Sequence, residues 1–179
     1  IALRCNLVTL SEEEGIPYEA RTILDHSAGE ISTADAAVLI DAVRQAFETE
    51  VYHFYAGTSY RHLLIWSGGL VLDLSQPHDH LTEKIGPYLT EDLNLRTMME
   101  RSYDILNRHP INLARAEKGL HKANSLWFWG AGTRPALQSF TEKTGKRGAM
   151  ISAVDLLKGI AVGARMQVME VPGANGGLD

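Results

Sequence analysis

The sequence predicts an α+β (mixed α/β) fold, a single compact domain with a mixed sheet flanked by helices. Three observations predict it. The chain opens on "ALRCNLVTL", apolar and alternating enough for a strand. The segment "TADAAVLIDAVRQAFETE" places apolar residues at helical spacing. The last third runs "SLWFW", "RPALQSFTEKTG", "GAMISAV", "DLLKGIAVGA" and "MQVMEV", a strand-helix alternation expected of a layered, partly parallel unit.

The elements follow in order. "SEEEGIPYEARTILDHSAGEIS" reads as a polar connection with one short apolar run at Ile23 and Leu24. In the helix that follows, Thr33 can cap the N-terminus and Asp35 suits the positive end of the dipole. Ala37, Ile40, Val43, Ala46 and Phe47 form its apolar stripe. "VYHFYA", "SYRHLLIWS" and "LVLDLS" are three strand candidates, separated by "GT" and "GG" turns that suit a hairpin or meander. "QPHDHLTEKIGPYL" reads as a loop. "NLRTMMERSYDILNRH" has helical spacing through Leu95, Met98, Met99, Tyr103 and Leu106. His109-Pro110 breaks that helix, and "INLARAEKG" starts another.

Composition bounds the function. A chain of 179 residues can bury a sizeable core, and 45% hydrophobic with 22% charged residues is ordinary for a globular protein. Lys plus Arg number 17 against 22 Asp plus Glu, a net charge of -5, which argues against a nucleic-acid partner. No apolar run approaches the ~20 residues of a membrane helix. The one cysteine, Cys5, excludes an internal disulfide, and a reducing, cytoplasmic setting is expected. The chain starts in strand-like sequence and closes on "EVPGANGGLD", so a piece of a longer protein is expected.

Several side chains invite chemistry. "PHDH" sets His78, Asp79 and His80 in a row. Such a loop can ligate a metal or, through His78 with Asp79 setting its tautomer, hold a phosphate or carboxylate; a solvated loop is the bland alternative. In "SYRHLLIW", Arg61 shares a strand face with Leu63 and Ile65, and Arg4 sits between Leu3 and Cys5. Each guanidinium needs an anion, supplied by a structural salt bridge or by a ligand. Asp155 and Lys158, three apart, read as a surface pair, or Lys158 points its charge at an anion. "GAG" at 130–132 lacks the spacing of a nucleotide loop, and Asp25-His26-Ser27, adjacent in sequence, is not how a nucleophilic triad is assembled.

Taken in order, "LRCNLVTL", "ILDHSAGEIST", "FYAGTSYRHLLIW", "PHDH", "HPINLARAEKG", "ANSLWFWGAGTRPALQSF", "GAMISAVDLLKGI" and "VPGANG" resemble the middle of archaeal-type 2,3-bisphosphoglycerate-independent phosphoglycerate mutases. The resemblance implies membership of the alkaline phosphatase superfamily, with residues 1–179 as the inserted substrate-binding domain and short flanks of the metal-binding domain at either end. It implies a Ser or Thr nucleophile and two divalent metals (Mn, Zn or Mg) elsewhere in the full-length enzyme, with none bound to this fragment. It implies a small-molecule phosphoglycerate as substrate, and neither nucleic acid nor membrane as partner. By position in family-like motifs, Arg4, Arg61, His78, Asp79, Asn124 and Lys158 are the residues it implies for substrate binding. The glycine end of "WFWGAG" would open on the cleft. The chain departs from the family pattern at Glu30, where His is usual, at Ala56, where Pro is usual, and at Asn175-Gly176, where Thr-Gly is usual. A homoserine kinase-like enzyme, a relative named for phosphonopyruvate decarboxylation, and a non-catalytic binding module remain alternatives.

Overall fold

Strand β1 (Ala2–Leu10) organises the first part of the chain. In the computed structural model, which describes residues 1–173, two strands flank it in antiparallel pairing. β4 (Arg61–Trp66) pairs Ala2 through Asn6, and β5 (Ser125–Gly132) pairs Ala2 through Val8. β3 (Tyr52–Tyr55) adds to the far side of β4, and short β2 (Ile23–Asp25) pairs the end of β1 at Thr9 and Leu10. β2 lies in the stretch expected to be a polar connection; its three residues are too few to show a period.

Every pairing in this five-stranded sheet is antiparallel. The mixed α/β class is as the sequence predicts, but the parallel pairing is confined to a separate two-stranded sheet, β6 (Ala149–Met150) with β7 (Gln167–Val168). "LVLDLS" forms no strand. Leu70 and Val71 are exposed, and the segment ends where Ser75 accepts a hydrogen bond from Trp127 Nε1 at 2.8 Å.

Period-two alternation gives the sheet two unlike faces. Leu3, Cys5 and Leu7 of β1 share one face with His62, Leu64 and Trp66 of β4 and with Leu126 and Phe128 of β5, and all are buried. Helices α1 (Thr33–Phe47) and α2 (Leu93–Leu106) join this core. The α2 stripe is the predicted one. On α1 the cap is Ser32, which accepts from Asp35 N–H, not Thr33, and the buried face is Ala36, Leu39, Ile40, Val43 and Phe47. Burying each large side chain contributes about 1.5–3 kcal/mol. Helix α3 (Pro110–Glu117) starts at the predicted proline and sends Asn112 and Arg115 inward.

The chain divides into two compact units, Ile1–Thr133 and Arg134–Asp179. The second holds α4 (Phe140–Thr144), β6, α5 (Asp155–Gly163) and β7. Among the described residues no helix is long and apolar enough to cross a membrane. Asn175-Gly176 lie outside the described residues.

Candidate anion-binding face

The sheet face opposite the core carries the candidate site. Arg4 stands opposite Leu63, and Asn6 stands opposite Arg61. Arg4 and Arg61 are thus diagonal neighbours on one face of adjacent strands, about 7–8 Å apart by sheet geometry. Asn6 is buried between them and fully engaged. Its Oδ1 accepts from Trp129 Nε1 at 3.0 Å, and its Nδ2 donates to the His26 carbonyl at 3.2 Å. One side chain therefore ties strand β5 and the loop after β2 to this face.

Four rings run across it, each set edge-on to the next. Tyr60 meets His26 at 5.7 Å, His26 meets His78 at 5.9 Å, and His78 meets Trp129 at 5.3 Å between centroids. A guanidinium caps each end of the row: Arg61 lies 4.3 Å from the Tyr60 ring centre and Arg4 lies 4.6 Å from that of Trp129. These are cation–π distances. Among the described residues neither arginine has a carboxylate partner, so the salt-bridge reading of both does not hold. Nor is either buried; the face is open enough to expose both. The aromatic rings support the cations from the side while their donor forks stay free for an incoming anion.

The loop that supplies His26 is held hard. Asp25 accepts from Ser27 N–H and Oγ, both at 2.7 Å, and from Gly29 N–H at 2.8 Å. Partial burial works to raise the Asp25 carboxyl, but these hydrogen bonds outweigh it and hold the group below its ordinary value. Ala28 and Glu30 take left-handed backbone at φ 51 and 49, with Gly29 between them at 65, a strained run for residues with a Cβ. Buried Arg115 anchors it, donating from Nη2 to the Ala28 carbonyl at 2.8 Å. Beside it, Glu30, Ser32, Thr33, Ser59, Tyr60 and Arg61 line an open groove of about 330 Å³.

The other expected site residues fall as follows. Asp79 is exposed next to His78, but His78 Nε2 and Asp79 Oδ1 are 3.9 Å apart, too far for Asp79 to set the imidazole tautomer by a hydrogen bond. His80 turns away and stacks on Tyr88 at 3.5 Å. Among the described residues no three His, Cys, Asp or Glu side chains gather as a metal site, so the metal reading of "PHDH" finds no geometry. Asn124 is wholly buried. Its Oδ1 accepts from Leu10 N–H at 2.7 Å and its Nδ2 donates to the Leu10 carbonyl at 2.9 Å, so its amide is occupied within the fold. Lys158 belongs to the second unit, where its Nζ pairs with Glu170 at 2.9 Å rather than with Asp155.

No motif of the sequence assigns Asn6, His26, Tyr60 or Trp129 to a binding face; His26 stands out only within Asp25-His26-Ser27, and Trp129 only within the "WFWGAG" strand. Tyr60 and Trp129 sit beside motifs that were read, but the role of Asn6 depends on a partner 123 positions away. The glycine end of β5 does reach this face: a Cβ at Gly130 would stand 3.5 Å from Arg4 Cδ, where the backbone takes φ 59.

Comparison with known proteins gives this face its context. A family model described as 2,3-bisphosphoglycerate-independent phosphoglycerate mutase matches residues 1–112. The chain belongs to this family. The proteins of that name from Methanosarcina acetivorans and Methanosarcina mazei are 42% and 44% identical to it across its whole length. The chain spans 44% of the length of each. A solved structure of a cofactor-independent phosphoglycerate mutase from Thermoplasma acidophilum matches 97% of this chain with 47% of its own, at 27% identity and a TM-score of 0.56. The PH0037 protein from Pyrococcus horikoshii shares the fold over 98% of this chain and 39% of its own, at 22% identity and a TM-score of 0.62.

Proposed function

We propose that this chain is the substrate-binding part of a cofactor-independent phosphoglycerate mutase, and that the arginine-capped ring row grips phosphoglycerate. The observation that carries the reading is the pair Arg4 and Arg61: two exposed guanidinium groups on one sheet face, each propped on an aromatic ring and without a carboxylate partner among the described residues. Phosphoglycerate carries a phosphate and a carboxylate. Two guanidinium forks on one face suit a ligand with two anionic groups better than a neutral one. His26 and His78 lie between them and can donate hydrogen bonds to the glycerate oxygens, with Asp79 on the rim.

In an enzyme of the relatives' length, this face would hold the glycerate while the phosphoryl group passes between its two hydroxyls. The family resemblance implies two divalent metals and a Ser or Thr nucleophile for that transfer. The described residues do not fit a metal pair. We therefore assign the described residues positioning and charge recognition, and no step of phosphoryl transfer. Asn124 and Lys158 are left out of the proposed contact set, because their polar groups are already engaged.

Calorimetric titration tests the reading. The chain is expected to bind 3-phosphoglycerate and 2-phosphoglycerate more tightly than homoserine phosphate, with both arginines required. Equal binding of homoserine phosphate would favour the kinase-like alternative. Binding unaffected by Arg4→Ala and Arg61→Ala together would reject this face as the site.

A further inference from the structure

On the core face of β4, directly beneath the site, His62 is buried in an arrangement that the fold alone does not explain. Its Nδ1 accepts a hydrogen bond from Gly57 N–H at 3.1 Å. The proton of the neutral ring therefore sits on Nε2, and that atom is buried with no partner among the described residues. A buried donor without an acceptor is a cost that an apolar side chain would avoid. The neighbours along the same face, Leu64 and Trp66, show what this position would ordinarily hold.

The bond from Gly57 gives the histidine a purpose. Gly57 opens the turn between β3 and β4, which delivers Tyr60 and Arg61 to the opposite face. The turn is tight: a Cβ on Gly57 would stand 2.3 Å from the Arg61 carbonyl oxygen, so only glycine fits. Ser59, at its tip, takes left-handed backbone at φ 55. Beyond His62 the turn is tied by Ser59 Oγ to the Ile31 carbonyl at 2.7 Å, by Thr33 Oγ1 accepting from Ser59 N–H at 3.0 Å, and by Arg61 N–H to the Thr58 carbonyl at 3.1 Å. His62 provides the side-chain tie from the core side.

We propose that His62 is a positioning residue: by accepting from Gly57 N–H it locks the 56–60 turn, and through it fixes Tyr60 and Arg61 for the anion. The proposal rests on the reading of the opposite face as a phosphoglycerate site. It touches no ligand itself. Its role is carried through the strand, since residues 61 and 62 project to opposite sides of one backbone. A site needs such support because a misplacement of about 1 Å can cost a large part of its function.

Three variants of the full chain test this. His62→Leu removes both the acceptor and the orphaned donor. His62→Asn places an amide oxygen where Nδ1 was. His62→Gln is polar but reaches past that position. Hydrogen exchange at the amides of residues 57–61 and the affinity for 3-phosphoglycerate are measured on each, with the thermal midpoint as control. His62→Leu should melt no lower than the parent, exchange those amides at least about tenfold faster, and bind about tenfold more weakly. His62→Asn should recover both, and His62→Gln should not. Parent-like exchange in His62→Leu, or in His62→Gln should the leucine variant not fold, overturns the proposal. If the parent itself binds no phosphoglycerate, the site reading fails on its own, and the exchange data alone decide whether His62 locks the turn.

Discussion

The guanidinium of Arg4 lies 4.6 Å from the centre of the Trp129 ring, and the indole N–H of that ring donates to Asn6 on the same strand as Arg4. The tryptophan is thus fixed by one residue of β1 and supports another. Emission from Trp129 should report on the site, while Trp66 and Trp127, both buried, should emit at blue-shifted wavelengths. An anion that draws Arg4 off the indole should change the fluorescence. Titration with 3-phosphoglycerate should give a saturable change that Trp129→Phe abolishes and Trp66→Phe keeps. A change that survives Trp129→Phe would place the ligand elsewhere.

Arg4→Ala and Arg61→Ala should each weaken phosphoglycerate binding with little effect on folding. A charge-assisted hydrogen bond is worth roughly 1.5–3 kcal/mol, about tenfold to a hundredfold in affinity. Neither substitution strands a buried carboxylate, because neither arginine has a carboxylate partner among the described residues, so thermal midpoints should stay close to that of the parent. A large stability loss with near-normal affinity would show that these cations serve the fold.

Asn124→Ala should do the reverse. The Asn124 amide stands in for a strand partner by satisfying both the N–H and the carbonyl of Leu10 in the interior. Truncation leaves two buried backbone groups unpaired at about 1–3 kcal/mol each. Denaturant unfolding should record a loss of about 2–5 kcal/mol. Affinity for phosphoglycerate in the folded protein should be unchanged; a selective loss of affinity would return Asn124 to the site.

Acid should weaken the fold through His62. Burial pulls its imidazole from 6.5 down to about 4. Between those values the unfolded chain takes up a proton that the folded chain refuses. The neutral ring's contribution is therefore fully present above pH 6.5 and is lost as pH falls toward 4. The drop corresponds to roughly 3 kcal/mol at most. Asp25, held low by its hydrogen bonds, adds its own loss only as pH falls through the carboxylate range and below. Unfolding free energy measured from pH 7.5 to 4.5 should fall in the parent and stay flatter in His62→Leu. Parallel slopes would mean that His62 titrates normally.

The sequence by itself determined the faces. Alternation in "RHLLIW" separated Arg61 from His62, and helical spacing in "NLRTMMERSYDIL" named the buried stripe of α2, because both periods are local properties of the backbone. The family was legible as well, since long ordered segments survive divergence better than any single motif. Only the tertiary structure decided which loops lie over the open face. His26 and His78 are 52 positions apart, in segments of no regular period, and meet because Asn6 ties the His26 carbonyl to β1 while Trp129 on β5 receives the edge of His78. The same holds for Asn124, whose motif suggested a ligand contact and whose burial against Leu10 gave it a structural task. A side chain's face follows from its neighbours in sequence. Its partners follow from strand pairing across the chain, and no local pattern encodes that.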